Sequence, residues 1–317
     1  MEKTFSLTVA SIIAGLLLAG CQAAEPGPAH YPAPVAPPTS LPATAGPPVE
    51  TPTRIPTRTP LPTATTPPSL APVTAPTDVP TADLCWQAGG RVTRHSLSTD
   101  LSPDPWDFRV YTPPCYDRHP ERTYPLLILI HGANDTDSQW DDLGADETAD
   151  ELIASGLAPP FLILMPRDRL FVAPIRDPFG EALMSRILPW VDLHYRTIAD
   201  REHRAIGGLS RGASWAVHLG LNHWQEFSAI GAHSLPLFLS DPPLIPGWLD
   251  LIPPEMLPRF YIDIGEDDHL LNQAAWFGDL LAELNIPHQW HLNTGRHEPA
   301  YWERHTWDYL VWYSSGW

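Results

Sequence analysis

Gly208-Leu209-Ser210-Arg211-Gly212 sets a serine between two glycines at a spacing that suits nucleophilic chemistry. A short apolar stretch, Ala205-Ile206, precedes it, and residues 211–221 carry helical spacing, so the serine falls where a strand turns sharply into a helix. Such a turn holds the serine in a strained backbone conformation, and a side chain on either flanking residue would strike the neighbouring strand or helix. The helix start also aims backbone N–H groups at the reacting centre. A serine hydroxyl at its ordinary pKa is a poor nucleophile, so this reading demands a base to take its proton and a carboxylate to orient that base.

The elements that must position these groups follow from periodicity. Continuous apolar or alternating runs predict strands over residues 91–98, 108–111, 124–130, 161–165, 204–208, 228–232, 260–264 and 288–292. Helical spacing covers residues 147–155, 179–195, 211–221, 270–284 and 299–313. Alternation of this kind implies βαβ units, hence an α/β domain with a mostly parallel, doubly wound sheet and helices on both faces.

The strand–turn–helix serine resembles that of α/β-hydrolases, in which the acid and then the histidine follow the serine along the chain. His269, His288, His291, His297 and His305 remain as bases. His297 lies in Asn293-Thr294-Gly295-Arg296-His297-Glu298, a loop at the carboxyl end of the last strand, where open α/β sheets place their sites. His288 and His291 fall inside that strand and read as satisfied, partly buried imidazoles. Strand 260–264 runs into Gly265-Glu266-Asp267-Asp268-His269. Asp268 is favoured as the acid, with Asp267 next. Asp263 lies inside the strand, and the carboxylates passed over at its carboxyl end read as a solvated loop and helix capping. Two N–H donors for an oxyanion are expected from Arg211, directly after the serine, and from His131-Gly132-Ala133, with Ala133 the first choice.

Taken together, Ser210, Asp268 and His297, with Tyr124-Pro125, His131-Gly132 and Gly295-Arg296-His297, resemble the esterase D family of α/β-hydrolases, which includes enterochelin-esterase-like and feruloyl-esterase-like enzymes. The likeness runs from about Tyr111 to Trp302. It implies an α/β-hydrolase fold with little or no lid and a serine carboxylic ester hydrolase without a cofactor. Ser210 is then the nucleophile, His297 the base, Asp268 the acid, and Ala133 and Arg211 the oxyanion donors. The chain departs from many members at Ala213, where a further glycine is common. The run Leu235-Pro236-Leu237-Phe238 to Trp248 does not align and occupies the place of cap insertions, so it leaves substrate choice open.

Composition sets the surroundings of this domain. Of 317 residues, 39 are proline, and 18 of those lie in residues 22–82 with five charged residues. That stretch, rich in Pro, Thr and Ala, cannot bury enough apolar surface to fold and reads as a semi-rigid linker. Residues 83–317 suffice for one sizeable core. Lys3 followed by an apolar run of about a dozen residues is too short for a membrane span. The run ends in Leu18-Ala19-Gly20-Cys21, which resembles a bacterial lipobox. Residues 1–21 are therefore expected to be a lipoprotein signal peptide, with Cys21 lipidated and the domain extracytoplasmic, anchored to a membrane or cell surface. In that compartment the two remaining cysteines, Cys85 and Cys115, are expected to form a disulfide.

Several classes are excluded or disfavoured. A net charge of −18 repels a phosphate backbone, so nucleic acid is not an expected partner. Lys3 is the sole lysine, which removes phosphate-loop and Schiff-base chemistry from the folded domain. Asn134-Asp135-Thr136-Asp137 has oxygen ligands but lacks the glycine and glutamate of a calcium loop, so it reads as a solvated loop with no metal. Most of the 13 tryptophans fall in predicted elements and read as core, leaving Trp140 and Trp302 as pocket walls. The expected substrate is a small-molecule or polysaccharide-linked ester. Acyl transfer by the same machinery is the close variant, and a non-catalytic surface-binding module is the reading from another class.

Overall fold

The structure, a computed structural model, describes residues 84–317. The signal peptide, Cys21 and the linker over residues 22–82 lie outside the described residues. Eight strands form one sheet: β1 (Arg91–Thr99), β2 (Ser102–Thr112), β3 (Leu126–Ile130), β4 (Leu162–Pro166), β5 (Arg204–Leu209), β6 (Ala229–His233), β7 (Arg259–Gly265) and β8 (Gln289–Asn293). Their order is β1-β2-β4-β3-β5-β6-β7-β8, with the β1–β2 and β2–β4 pairs antiparallel and the other pairs parallel. Helices between them are α1 (Gln139–Asp142), α2 (Ala145–Ala154), α3 (Phe179–Ala182), α4 (Leu188–His194), α5 (Arg211–Asn222), α6 (Ile245–Asp250), α7 (Leu271–Glu283) and α8 (Pro299–Ser314).

A strand buried on both faces must be apolar at every position, and β3 illustrates this. Leu126, Ile128 and Ile130 join a core with Phe179, Val191, Trp215 and Phe277, while Leu127 and Leu129 join another with Leu152, Tyr309 and Tyr313. Tyr313 reaches the sheet because β5 and β6 carry glycines there. A Cβ on Gly207 or Gly231 would lie 1.7 Å from its hydroxyl.

The helix expected over residues 179–195 is not continuous. A wider turn of π geometry, Leu183–Ile187, separates α3 from α4 just before Pro189. Proline lacks the N–H that would bond the Ser185 carbonyl, and that carbonyl instead accepts from the Arg186 guanidinium at 3.2 Å. The unaligned run after β6 folds onto α5. Leu235, Phe238, Ile245 and Leu249 are buried, the Ser214 hydroxyl donates to the Pro236 carbonyl, and His218 pairs with Asp241 at 2.9 Å.

The chain enters at the foot of the sheet. Arg91 pairs with Thr112, at the end of β2 that lies beside the amino end of β4. Cys85 and Cys115 are joined by a disulfide with Cα atoms 5.1 Å apart, and the Gly90 amide donates to the Asp150 carboxylate in α2.

Candidate active site

At the opposite end the strands finish in register. Ile130 is level with Gly208, Leu209 with His233, His233 with Asp263, and Gly265 with Asn293. Chain segments leaving these ends therefore converge, and they carry Ser210, Asp268 and His297. Ser210 sits between β5 and α5 with φ 51° and ψ −126°, a conformation costly for any residue but glycine. The flanking glycines are required by contact. A Cβ on Gly208 would lie 2.4 Å from the Gly212 backbone, and one on Gly212 would lie 2.0 Å from the Ile130 carbonyl oxygen. Ala213 is fully buried in the core, so the departure noted there is accommodated.

Two loops are laced together to bring the other groups in. The Glu266 amide donates to the Asn293 carbonyl at 2.7 Å and the Asp267 amide to the Gly295 carbonyl at 3.0 Å. Gly265 permits the approach, since a Cβ there would lie 2.3 Å from the Gly295 oxygen. The result sets His297 Nδ1 2.9 Å from Asp268 Oδ2 and His297 Nε2 2.9 Å from Ser210 Oγ. Asp267 points away, with its side chain 65% exposed and Arg296 3.9 Å distant. Burial works against ionisation of Asp268, but hydrogen bonds from His297, the Leu270 amide and Ser234 outweigh it and hold the carboxyl below its usual range. His269 adds a third possible metal ligand beside Asp268 and His297. Both nitrogens of His297 are already engaged, and Asp268 Oδ1 accepts from the Leu270 amide at 2.9 Å.

The loop after β3 is fixed by side chains that local pattern did not reveal. Gln139 accepts the Gly132 amide at 2.7 Å. His131 is buried, which lowers its pKa and keeps it neutral; its Nε2 accepts the Asp168 amide at 2.9 Å, so Nδ1 donates to the Gly132 carbonyl at 2.7 Å. The Ala133 amide, next in line, donates no hydrogen bond among the described residues. The Arg211 amide is likewise unspent, because it opens α5 and has no carbonyl four residues back within the helix.

Two expectations need correction. Trp140 is no pocket wall: it is 1% exposed and its indole N–H donates to the Ile130 carbonyl at 3.0 Å. Trp302 does lie beside the site, edge-on to the His297 ring at 4.9 Å, with its N–H on Ser234 Oγ. Asp137 is not solvated; it is buried and pairs with Arg109 at 3.2 Å and Arg94 at 3.4 Å, tying its loop to β1 and β2. Asp263 lies within β7, where the predicted strand put it. It is fully buried and bonds His233, Tyr301 and Tyr309.

Comparison with known proteins agrees with this architecture. The chain is 30% identical over 143 residues to Esterase Rv1288 of Mycobacterium tuberculosis, an alignment spanning 41% of this chain and 29% of the relative. It is 29% identical over 134 residues to an endo-1,4-beta-xylanase/feruloyl esterase of Xylanibacter ruminicola, spanning 38% of this chain and 18% of that protein. The chain thus covers less than a third of the length of either relative. A solved ferulic acid esterase superposes with a TM-score of 0.65 at 25% identity, covering 72% of this chain and all of that one. An S-formylglutathione hydrolase of Staphylococcus aureus shares the fold, with a TM-score of 0.56 at 16% identity over 71% of this chain and 99% of that one. The family model named Esterase matches residues 99–315, and the chain belongs to that family, on an α/β-hydrolase fold.

Proposed function

We propose that the chain is a serine carboxylic ester hydrolase. The observation that carries this reading is the unbroken relay from Ser210 Oγ through His297 to Asp268, with the serine in a strained turn. Ser210 Oγ attacks the ester carbonyl carbon as its proton passes to His297 Nε2. The charge that develops on the carbonyl oxygen is met by the unspent amides of Ala133 and Arg211. Asp268 holds His297 through Nδ1 and stabilises the imidazolium, which then protonates the departing alcohol. An acyl group remains on Ser210. Water, deprotonated by His297, attacks it and releases the acid, returning the proton to Ser210. No cofactor is needed at any step.

The named activities of the feruloyl esterase relatives support an ester of an aromatic acid, free or attached to a polysaccharide, as substrate. The Leu18-Ala19-Gly20-Cys21 sequence supports attachment to a bacterial membrane through lipidated Cys21. The test is hydrolysis of p-nitrophenyl and feruloyl esters by the parent and Ser210→Ala. The variant is expected to lose roughly 10⁴-fold or more in kcat while melting at the parent's temperature. A folded parent that neither turns over these esters nor takes a fluorophosphonate on Ser210 would sink the proposal.

A further inference from the structure

The Arg211 side chain does something its amide does not explain. It leaves the first residue of α5 and reaches three acceptors on one segment, residues 168–177. Nε donates to Asp168 Oδ2 at 2.6 Å, while Nη2 donates to the Val172 carbonyl at 2.8 Å and to Asp177 Oδ2 at 2.9 Å. Both carboxylates are buried, and each is committed elsewhere. Asp168 also accepts the Trp215 indole N–H at 2.8 Å, and Asp177 Oδ1 accepts the Phe179 amide at 3.1 Å. Pairing two buried carboxylates with one guanidinium leaves an excess negative charge out of water, which is costly. The fold bears that cost to fix this segment.

What is fixed is an exposed apolar tip. Leu170 is 53% and Phe171 38% exposed, and Phe171 has φ 49°, a left-handed conformation that a bulky side chain rarely adopts. Its ring lies 6.4 Å from the His131 ring, and the Arg211 guanidinium carbon lies 5.7 Å from it. His131 directly follows β3 on the way to Ala133, and Arg211 follows Ser210. The phenyl ring therefore stands against both segments that supply the unspent amides. The guanidinium is held in turn over Phe238, 5.1 Å from that ring.

We propose that Phe171 is the specificity-determining wall for the acyl group and that Arg211 is the positioning residue that holds it there. The inference rests on the ester-hydrolase reading above. A flat apolar ring presented in a strained backbone discriminates acids by the surface they lay against it, so aromatic acyl groups gain over acetyl.

The experiment compares kcat/KM for p-nitrophenyl cinnamate and p-nitrophenyl acetate in the parent, Phe171→Ala, Arg211→Lys and the double variant, with melting curves for each. Phe171→Ala is expected to lower the cinnamate-to-acetate ratio about tenfold. Arg211→Lys keeps a charge for the carboxylates but loses the fork, and is expected to lower the same ratio severalfold. The double variant should fall no further than Phe171→Ala, because the arginine acts through the ring. A ratio unmoved in a folded, active Phe171→Ala enzyme overturns the wall. A ratio unmoved in Arg211→Lys, or two effects that add in full, overturns the positioning role. Absence of hydrolysis in the parent instead overturns the ester-hydrolase reading.

Discussion

The sheet carries two aspartate–histidine pairs, and only one of them reaches a serine. Asp268 meets His297 Nδ1 at 2.9 Å, and Asp263 meets His233 Nδ1 at 2.7 Å. At the carboxylate the two look alike; their surroundings do not. His297 keeps 19% of its side chain exposed and turns Nε2 to Ser210. His233 has no exposure and turns Nε2 to the Tyr313 hydroxyl at 3.0 Å, with its ring stacked on Tyr309 at 3.7 Å. Tyr301 and Tyr309 each donate to Asp263 Oδ2 at 2.7 Å, and burial followed by the Asp263 charge pushes both hydroxyls to higher pKa, so they stay donors. An aspartate–histidine pair can serve as a base only when its far nitrogen faces a nucleophile that substrate can approach. Enclosed by tyrosines, the same pair fastens the sheet to α8.

Exchanging each aspartate for asparagine should separate the two roles most sharply. Asp268→Asn would leave His297 misoriented and is expected to lower kcat about 10⁴-fold with little change in melting temperature. Asp263→Asn offers one acceptor oxygen to three donors, so at least one buried donor is left facing an N–H. It should cost about 3 kcal/mol in urea unfolding while the remaining folded enzyme turns over. A large loss of stability in the first, or of kcat alone in the second, would erase the distinction.

Gly207→Ala tests the fastener from the backbone side. The added methyl would collide with the Tyr313 hydroxyl and displace it from His233, for an expected loss of about 1–3 kcal/mol that thermal unfolding would register.

The smallest effect contrasts Asp268 with a carboxylate on the other side of the nucleophile. Burial, and then the Asp168 charge, raise Asp177 to about 6. As pH climbs from near 3.8 toward 6, the unfolded chain ionises this group while the folded chain still holds the proton, so the parent loses stability relative to Asp177→Asn over that window. Paired urea titrations at pH 4 and pH 7 should show the parent gaining on the variant at the lower pH. An identical difference at both pH values would contradict it.

Much of this was legible in the sequence because it is written locally. Each of the eight strands has its continuous apolar or alternating run, and the serine turn, the Gly265–Asp268 stretch and the loop around His297 each stand out within a few residues. What escaped reading is long-range. Asp168 and Asp177 acquire their part only because Arg211, more than thirty residues later, folds back on them. Asp263 stood out only as a carboxylate inside a strand, since nothing beside it in the chain tells of His233, Tyr301 or Tyr309. Trp140 follows a motif loop and so suggested a pocket, whereas its indole needed the Ile130 carbonyl in the core. The break before Pro189 was the exception, a local signal hidden by good helical spacing on either side.

The disulfide and the Gly90–Asp150 contact bring the chain in at the foot of the sheet, while Ser210 stands beyond the far ends of its strands. A tag or support surface joined directly at residue 84 would meet the domain at the end of the sheet remote from Ser210. The residues described can thus be mounted by their amino end with the face that bears Ser210 left open.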